Sequence, residues 1–193
     1  MMFEAIFNSF LLVFVGEMGD KTQLLALLLA ARYKKPWTIL FGIFVATVLN
    51  HAFASWIGVI AAGFFQPDTL KMILAGTFFA FALWVLIPDK ADEIKAPGRF
   101  GVLMTTIVAF FIAEMGDKTQ LATVALGARY AAHGAWAVTL GSTFGMVASN
   151  ALAVFLGDRL LARIPMNWVR IFASVLFAIF GAVVLASIFV ENS

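Results

Sequence analysis

The stretch Glu17-Met18-Gly19-Asp20-Lys21-Thr22-Gln23-Leu24, "EMGDKTQL", recurs letter for letter at Glu114–Leu121. The offset is 97 residues (114 against 17), and at the same offset Ala31–Tyr33 matches Ala128–Tyr130. After a two-residue slip in the intervening loop, Gly42 aligns with Gly141, His51 with Asn150 and Gly58 with Gly157. An eight-residue identity flanked by further matches is an internal duplication. The repeated motif carries acids and a lysine inside an otherwise oily stretch, so its surroundings decide how it is read.

Those surroundings are apolar. The 193 residues are 63% hydrophobic, with 21 Phe, only 12% charged residues and a mean hydropathy of +0.98. A soluble domain needs more polar surface than that. The apolar runs are long and do not alternate with period two, so the expectation is an all-α integral membrane protein and not a β-barrel. Six runs reach spanning length: 5–30, 36–62, 70–87, 100–127, 135–156 and 168–190. "PDKADEIKAPGR" (Pro88–Arg99), with two prolines, a glycine and six charges, is the one hydrophilic linker. It divides the chain into a first three-helix repeat (1–87) and a second (100–193). Three spans per half turn the second half over relative to the first, which predicts two inverted three-helix repeats, an architecture common among secondary transporters.

Loop charge sets the orientation. Arg32, Lys34, Lys35, Lys90, Lys95, Arg99, Arg159, Arg163 and Arg170 fall on one side; Lys71 and Arg129 fall on the other. This asymmetry places the first, third and fifth loops in the cytoplasm and both termini outside. The net charge of +2 comes from these short clusters and not from a basic face, which argues against nucleic acid as a partner. The N-terminus has no basic region and bears Glu4, unlike a cleaved signal peptide. There is no cysteine, which excludes disulfides, thiolate metal sites and cysteine nucleophiles. Trp37, Trp136 and Trp168 fall near span ends, as interfacial anchors do.

On a continuous helix, Glu17, Asp20 and Lys21 sit at i, i+3 and i+4 and share one face, within reach of Gln23; Glu114, Asp117, Lys118 and Gln120 repeat the arrangement. A charge at the bilayer centre costs about 2.5–3.5 kcal/mol on the insertion scale, so six facing lipid would cost roughly 15–21 kcal/mol. The two motifs are therefore expected to face each other. Gly16, Gly19 and Gly116 permit close approach, or local unwinding that offers backbone carbonyls as ligands. Four carboxylates and two ammonium groups leave two negative charges, which one divalent cation or two protons neutralise.

The donors on offer are hard oxygens: the carboxylates of Glu17, Asp20, Glu114 and Asp117, the amides of Gln23 and Gln120, and the hydroxyls of Thr22 and Thr119. Such a set suits Mg2+, Ca2+ and Mn2+ better than Zn2+ or Cu+. Met18 and Met115 lie about 100° around the helix from the glutamates, which suits packing. Lys21 and Lys118 balance charge or couple protons, or else form i,i+4 ion pairs with Glu17 and Glu114. Further polar residues, Thr47, Asn50 and His51 on the second span and Ser149 and Asn150 on the fifth, read either as additional ligands, with His51 a proton relay, or as interhelical hydrogen bonds.

The doubled E-x-G-D-K-[TS] signature, on the first and fourth of six spans around a charged central loop, resembles the Golgi transmembrane-protein-165 family, formerly an uncharacterised family. The resemblance covers nearly the whole chain, and both copies match without substitution. It implies a cation exchanger for Mn2+ or Ca2+, coupled to H+, with the cation site at Glu17, Asp20, Glu114 and Asp117. Without a targeting extension the chain is similar to the bacterial members, which implies export of Mn2+ across the inner membrane by alternating access. The transported ion is substrate; no resident cofactor is expected. Two other classes compete. A divalent-cation channel needs a continuous pore, which an inverted repeat does not favour. An intramembrane aspartyl protease uses a G-x-G-D pattern, which "GEMGD" and "AEMGD" both lack. An amino-acid exporter fits four acids less well than a cation does.

Overall fold

The structure is a computed structural model that describes residues 2–87, 101–161 and 165–191. The expected linker at 88–99 lies outside the described residues. Among the described residues eight α-helices follow in order: α1 (Met2–Gly16), α2 (Lys21–Tyr33), α3 (Pro36–Ala62), α4 (Pro67–Trp84), α5 (Val102–Glu114), α6 (Lys118–Arg129), α7 (Ala135–Leu161) and α8 (Met166–Glu191). A single 3-10 turn at Ala131–His133 joins α6 to α7, and no strand occurs among the described residues.

Local sequence explains the boundaries. Pro36 and Pro67 open α3 and α4 at the position where the missing N–H costs nothing. Lys34 closes α2 in the left-handed region (φ 52°), and its N–H donates to the Ala30 carbonyl. Gly157 (φ 63°) breaks the helical path of α7.

Three helical stretches are long and apolar enough to cross a membrane on their own: Pro36–Ala62, Ala135–Gly157 and Asn167–Phe189. α1 and α2 pass together as a fourth, bent by 72° at the break between them. The first and fourth expected runs thus differ from continuous spans. Each splits into two helices within the repeated motif, α1/α2 and α5/α6, because Gly19 (φ 79°) and Gly116 (φ 78°) take backbone angles that a helix cannot contain. The helical face predicted for Glu17, Asp20 and Lys21 is corrected accordingly: α1 ends at Gly16, and Asp20 is the N-cap of α2.

The two halves interlock. α1 packs mainly on α7, and its counterpart α5 packs on α3; likewise α2 lies on α7 and α6 on α3, while α4 packs on α8. Helices touch the opposite half far more than their own. The close approaches run through small residues. A Cβ at Gly141 would lie 2.2 Å from the Ile6 carbonyl oxygen, and one at Gly42 would lie 2.8 Å from Thr106 Cβ and 3.3 Å from the Leu103 oxygen. Ile6 and Leu103 are themselves 97 apart, so the same contact is made twice. A Cβ at Gly58 would collide with the Val124 carbonyl oxygen, and one at Gly127 would lie 2.5 Å from the Ser55 carbonyl oxygen, both across α3 and α6. Phe7, Phe41, Phe53, Phe144 and Phe172 stand exposed on the outside, the arrangement expected of a lipid-facing surface.

Gly58→Val and Gly141→Val are each expected to destabilise the protein by at least about 1–3 kcal/mol, because the obstructing atoms are backbone and cannot rotate away. Gly76→Ala, where a Cβ meets nothing within 4 Å, is expected to be neutral or stabilising by up to about 1 kcal/mol. Thermal unfolding of the detergent-purified variants measures both.

Candidate cation site

The site forms where the two breaks meet. Each copy of the motif ends one helix and starts the next, with Asp20 and Asp117 at the N-caps of α2 and α6 in extended conformation. Unwinding strands backbone N–H groups at membrane depth, where no lipid can accept them. The motif supplies its own remedy: the Gly19 N–H donates to Gln23 Oε1 at 2.8 Å, and the Gly116 N–H donates to Gln120 Oε1 at 2.6 Å. The two glutamines, expected among the ligands, here use their carbonyl oxygens to brace the loops. Gln23 Nε2 also donates to the Ser149 carbonyl on α7 at 3.0 Å, so this brace extends to the other half.

The breaks bring the acids together. Glu17, Glu114 and Asp117 are all buried, at 0%, 1% and 6% exposure, and each offers a carboxylate oxygen within 4.8 Å of the others. Glu17 is held by both copies of the motif: the Thr22 and Thr119 hydroxyls each donate to one of its oxygens. Glu114 receives no hydrogen bond on either oxygen, and Asp117 Oδ2 likewise has none. Lys21 Nζ reaches across the halves to Asp117 Oδ1 at 2.9 Å. This replaces the i,i+4 partner expected for Lys21, since a break between Glu17 and Lys21 removes the helical spacing that would join them.

Asp20 is buried too but stands outside the three-acid group. It lines a small cleft with Gly19, Ile87, Lys118 and Arg170. Lys118 Nζ lies 3.4 Å from the Ile87 carbonyl oxygen. Of the second-span residues, Asn50 makes an interhelical bond, donating to the Phe111 carbonyl on α5 at 3.2 Å. Asn150 donates within its own helix to Met146 at 3.0 Å, leaving its Oδ1 unpartnered. His51 is fully buried with neither ring nitrogen hydrogen-bonded, and its Nε2 is 3.8 Å from Glu114 Oε1. His133 lies apart, in the 3-10 turn.

Chemically, three carboxylates and the Lys21 ammonium, when all are ionised, leave two negative charges among largely buried side chains. An ionised Glu114 has no donor to compensate it, a situation that costs several kcal/mol unless a cation or a proton supplies the missing charge. The donor set of clustered carboxylate oxygens fits a hard divalent ion.

The family described as the divalent cation/proton antiporter GDT1 matches residues 5–93 and 102–192. The chain belongs to this family. Individual relatives agree with the assignment. A Vibrio cholerae protein provisionally named a manganese exporter is 46% identical over 158 residues, covering 82% of this chain and 78% of that one. The GDT1-like protein sll0615 of Synechocystis is 27% identical over 204 residues, 94% of this chain and 97% of that one. The chloroplastic protein PAM71 of Arabidopsis thaliana is 29% identical over 212 residues, 94% of this chain and 56% of that one. No solved structure matches the chain. The family's description is of a cation/proton antiporter, which supports cation transport by a membrane-embedded chain.

Lys21→Met is expected to cost about 1–3 kcal/mol of stability by stranding the buried Asp117, less than for a fully buried pair because Lys21 keeps 23% of its side chain exposed. Adding Asp117→Asn should recover most of the loss. A double-mutant cycle read by thermal unfolding tests the pairing.

Proposed function

We propose that this chain exports Mn2+ from the cytoplasm in exchange for H+, with Ca2+ the next candidate substrate, by alternating access of one site shared between two inverted three-helix repeats. The observation that carries the reading is the buried group of Glu17, Glu114 and Asp117, drawn from both motifs into a space of 4.8 Å. Its two net negative charges, with Lys21 counted, match one divalent ion or two protons. A site neutralised equally by either is what a cation/proton exchanger needs, because each ion must leave before the other can neutralise the site. The name of the Vibrio cholerae relative, a manganese exporter, supports manganese and the outward direction.

In this reading Glu17, Glu114 and Asp117 bind the ion directly. Thr22 and Thr119 orient Glu17, Gln23 and Gln120 brace the unwound loops, and Lys21 tempers the charge of Asp117. Asp20 and Lys118 line the cleft beside the site and form an approach to it. Asn50 ties α3 to α5 and the Ser149 carbonyl ties α7 to α2 beside it, while Asn150 bonds within α7. Six spans follow if α1/α2 and α5/α6 each act as one broken span and α4 as another, the discontinuous-helix design of many secondary transporters. The basic loop residues then place both termini outside, and the setting is the bacterial inner membrane.

Uptake into proteoliposomes with an imposed pH gradient tests the proposal. Saturable, gradient-driven Mn2+ flux is expected, reduced at least about 100-fold by Glu17→Gln, Glu114→Gln or Asp117→Asn, with Ca2+ carried more slowly. Flux that is indifferent to the pH gradient points to a channel. Flux that survives all three substitutions removes the acids from the site.

A further inference from the structure

We propose that His51 is the nitrogen donor of the cation site and sets its preference for a first-row transition ion over Ca2+ and Mg2+. This rests on the exchanger reading above and adds a ligand and a basis for selectivity.

Three observations support it. His51 is fully buried, yet neither ring nitrogen has a hydrogen-bond partner. A neutral imidazole that served only to fill the core would leave one N–H and one lone pair unsatisfied, at about 1–3 kcal/mol for a buried polar group. Second, Nε2 lies 3.8 Å from Oε1 of Glu114, an acid of the cluster that itself lacks a hydrogen bond, so His51 stands at the edge of the group and outside the set of atoms that all lie within 4.8 Å of one another. That distance is too long for a hydrogen bond. It suits two donors on one ion, since ligand distances of about 2.0–2.6 Å put neighbouring donors about 3–4 Å apart. Third, the site has two unlike edges. Glu17 is held by two hydroxyls, whereas Glu114 receives no hydrogen bond and has the His51 imidazole 3.8 Å away. The position matching His51 in the other half is Asn150, so duplication alone does not account for a histidine there.

The donor's chemistry sets the selectivity. Ca2+ and Mg2+ take oxygen ligands and gain little from an imidazole. First-row divalent ions, Mn2+ the weakest among them, bind mixed nitrogen and oxygen sets. An all-carboxylate site would discriminate poorly between Mn2+ and Ca2+, which are both hard divalent ions. One nitrogen donor at its edge favours Mn2+ without making the site so tight that the ion cannot leave.

The test uses the full-length protein purified in detergent. Mn2+ and Ca2+ affinities are measured by titration for the wild type, His51→Asn and His51→Gln, with His133→Gln as the control outside the site. Pulsed electron paramagnetic resonance of bound Mn2+ reports directly coupled 14N. The wild type is expected to show a 14N coupling that both His51 variants lose and His133→Gln keeps. Mn2+ affinity should fall about 10–100-fold in the His51 variants, with Ca2+ affinity nearly unchanged. A 14N coupling absent from the wild type or retained in the variants overturns the proposal. An equal fall in both affinities does the same, since it marks His51 as a packing residue. These results leave exchange intact if the wild type still binds and moves Mn2+; a wild type that binds neither ion ends both readings.

Discussion

Charge in a place without water is the constraint on which the rest of this molecule depends. An ionised carboxylate at membrane depth must find its compensation inside the protein. Here the compensation comes from the opposite half as well as from neighbouring residues. Thr119 of the second motif donates to Glu17 of the first, and Lys21 of the first pairs with Asp117 of the second. Neither half can bury its own motif alone without stranding a charge. The interlocked packing of α1 on α7 and of α5 and α6 on α3 follows from the same requirement, because only crossed halves bring the two motifs face to face.

The glycine, aspartate and glutamine of the repeated motif each have a part in this. Glycine takes the positive φ at the break between helices, and aspartate occupies the N-cap position of the next helix in extended conformation. Glutamine, four residues past the glycine, returns its side chain to the freed N–H. An unwound segment in a bilayer is tolerated where such groups satisfy its backbone, and unwinding is what turns the carboxylates inward toward one another. Break and brace are therefore inseparable, which explains why the whole eight-residue block is duplicated and not merely its acids.

The duplication is not a perfect symmetry of surroundings. Both threonine hydroxyls go to Glu17, which leaves Glu114 beside the histidine. Asn50 bonds across to α5, while Ser149, its counterpart, offers its backbone carbonyl to Gln23. A site with unlike edges gives two carboxylates of the same type different environments, and different environments let them do different work.

The sequence by itself determined the membrane class, the duplication and the placing of acids inside apolar runs. Composition and repeated letters are properties of the chain before it folds, and bilayer energetics act on them directly. It also pointed to glycine as the place where helices could unwind. Only the tertiary structure decided that the first and fourth runs are broken, that Lys21 pairs with Asp117 and not with Glu17, and that Asp20 stands apart from the other three acids. Helical spacing predicts neighbours only while the helix lasts. Once Gly19 and Gly116 leave it, proximity is set by how α1, α3, α5, α6 and α7 cross, and those crossings depend on glycines meeting residues far off in the chain (Gly42 against Thr106, 64 positions apart; Gly141 against Ile6, 135 positions apart), which no local periodicity records.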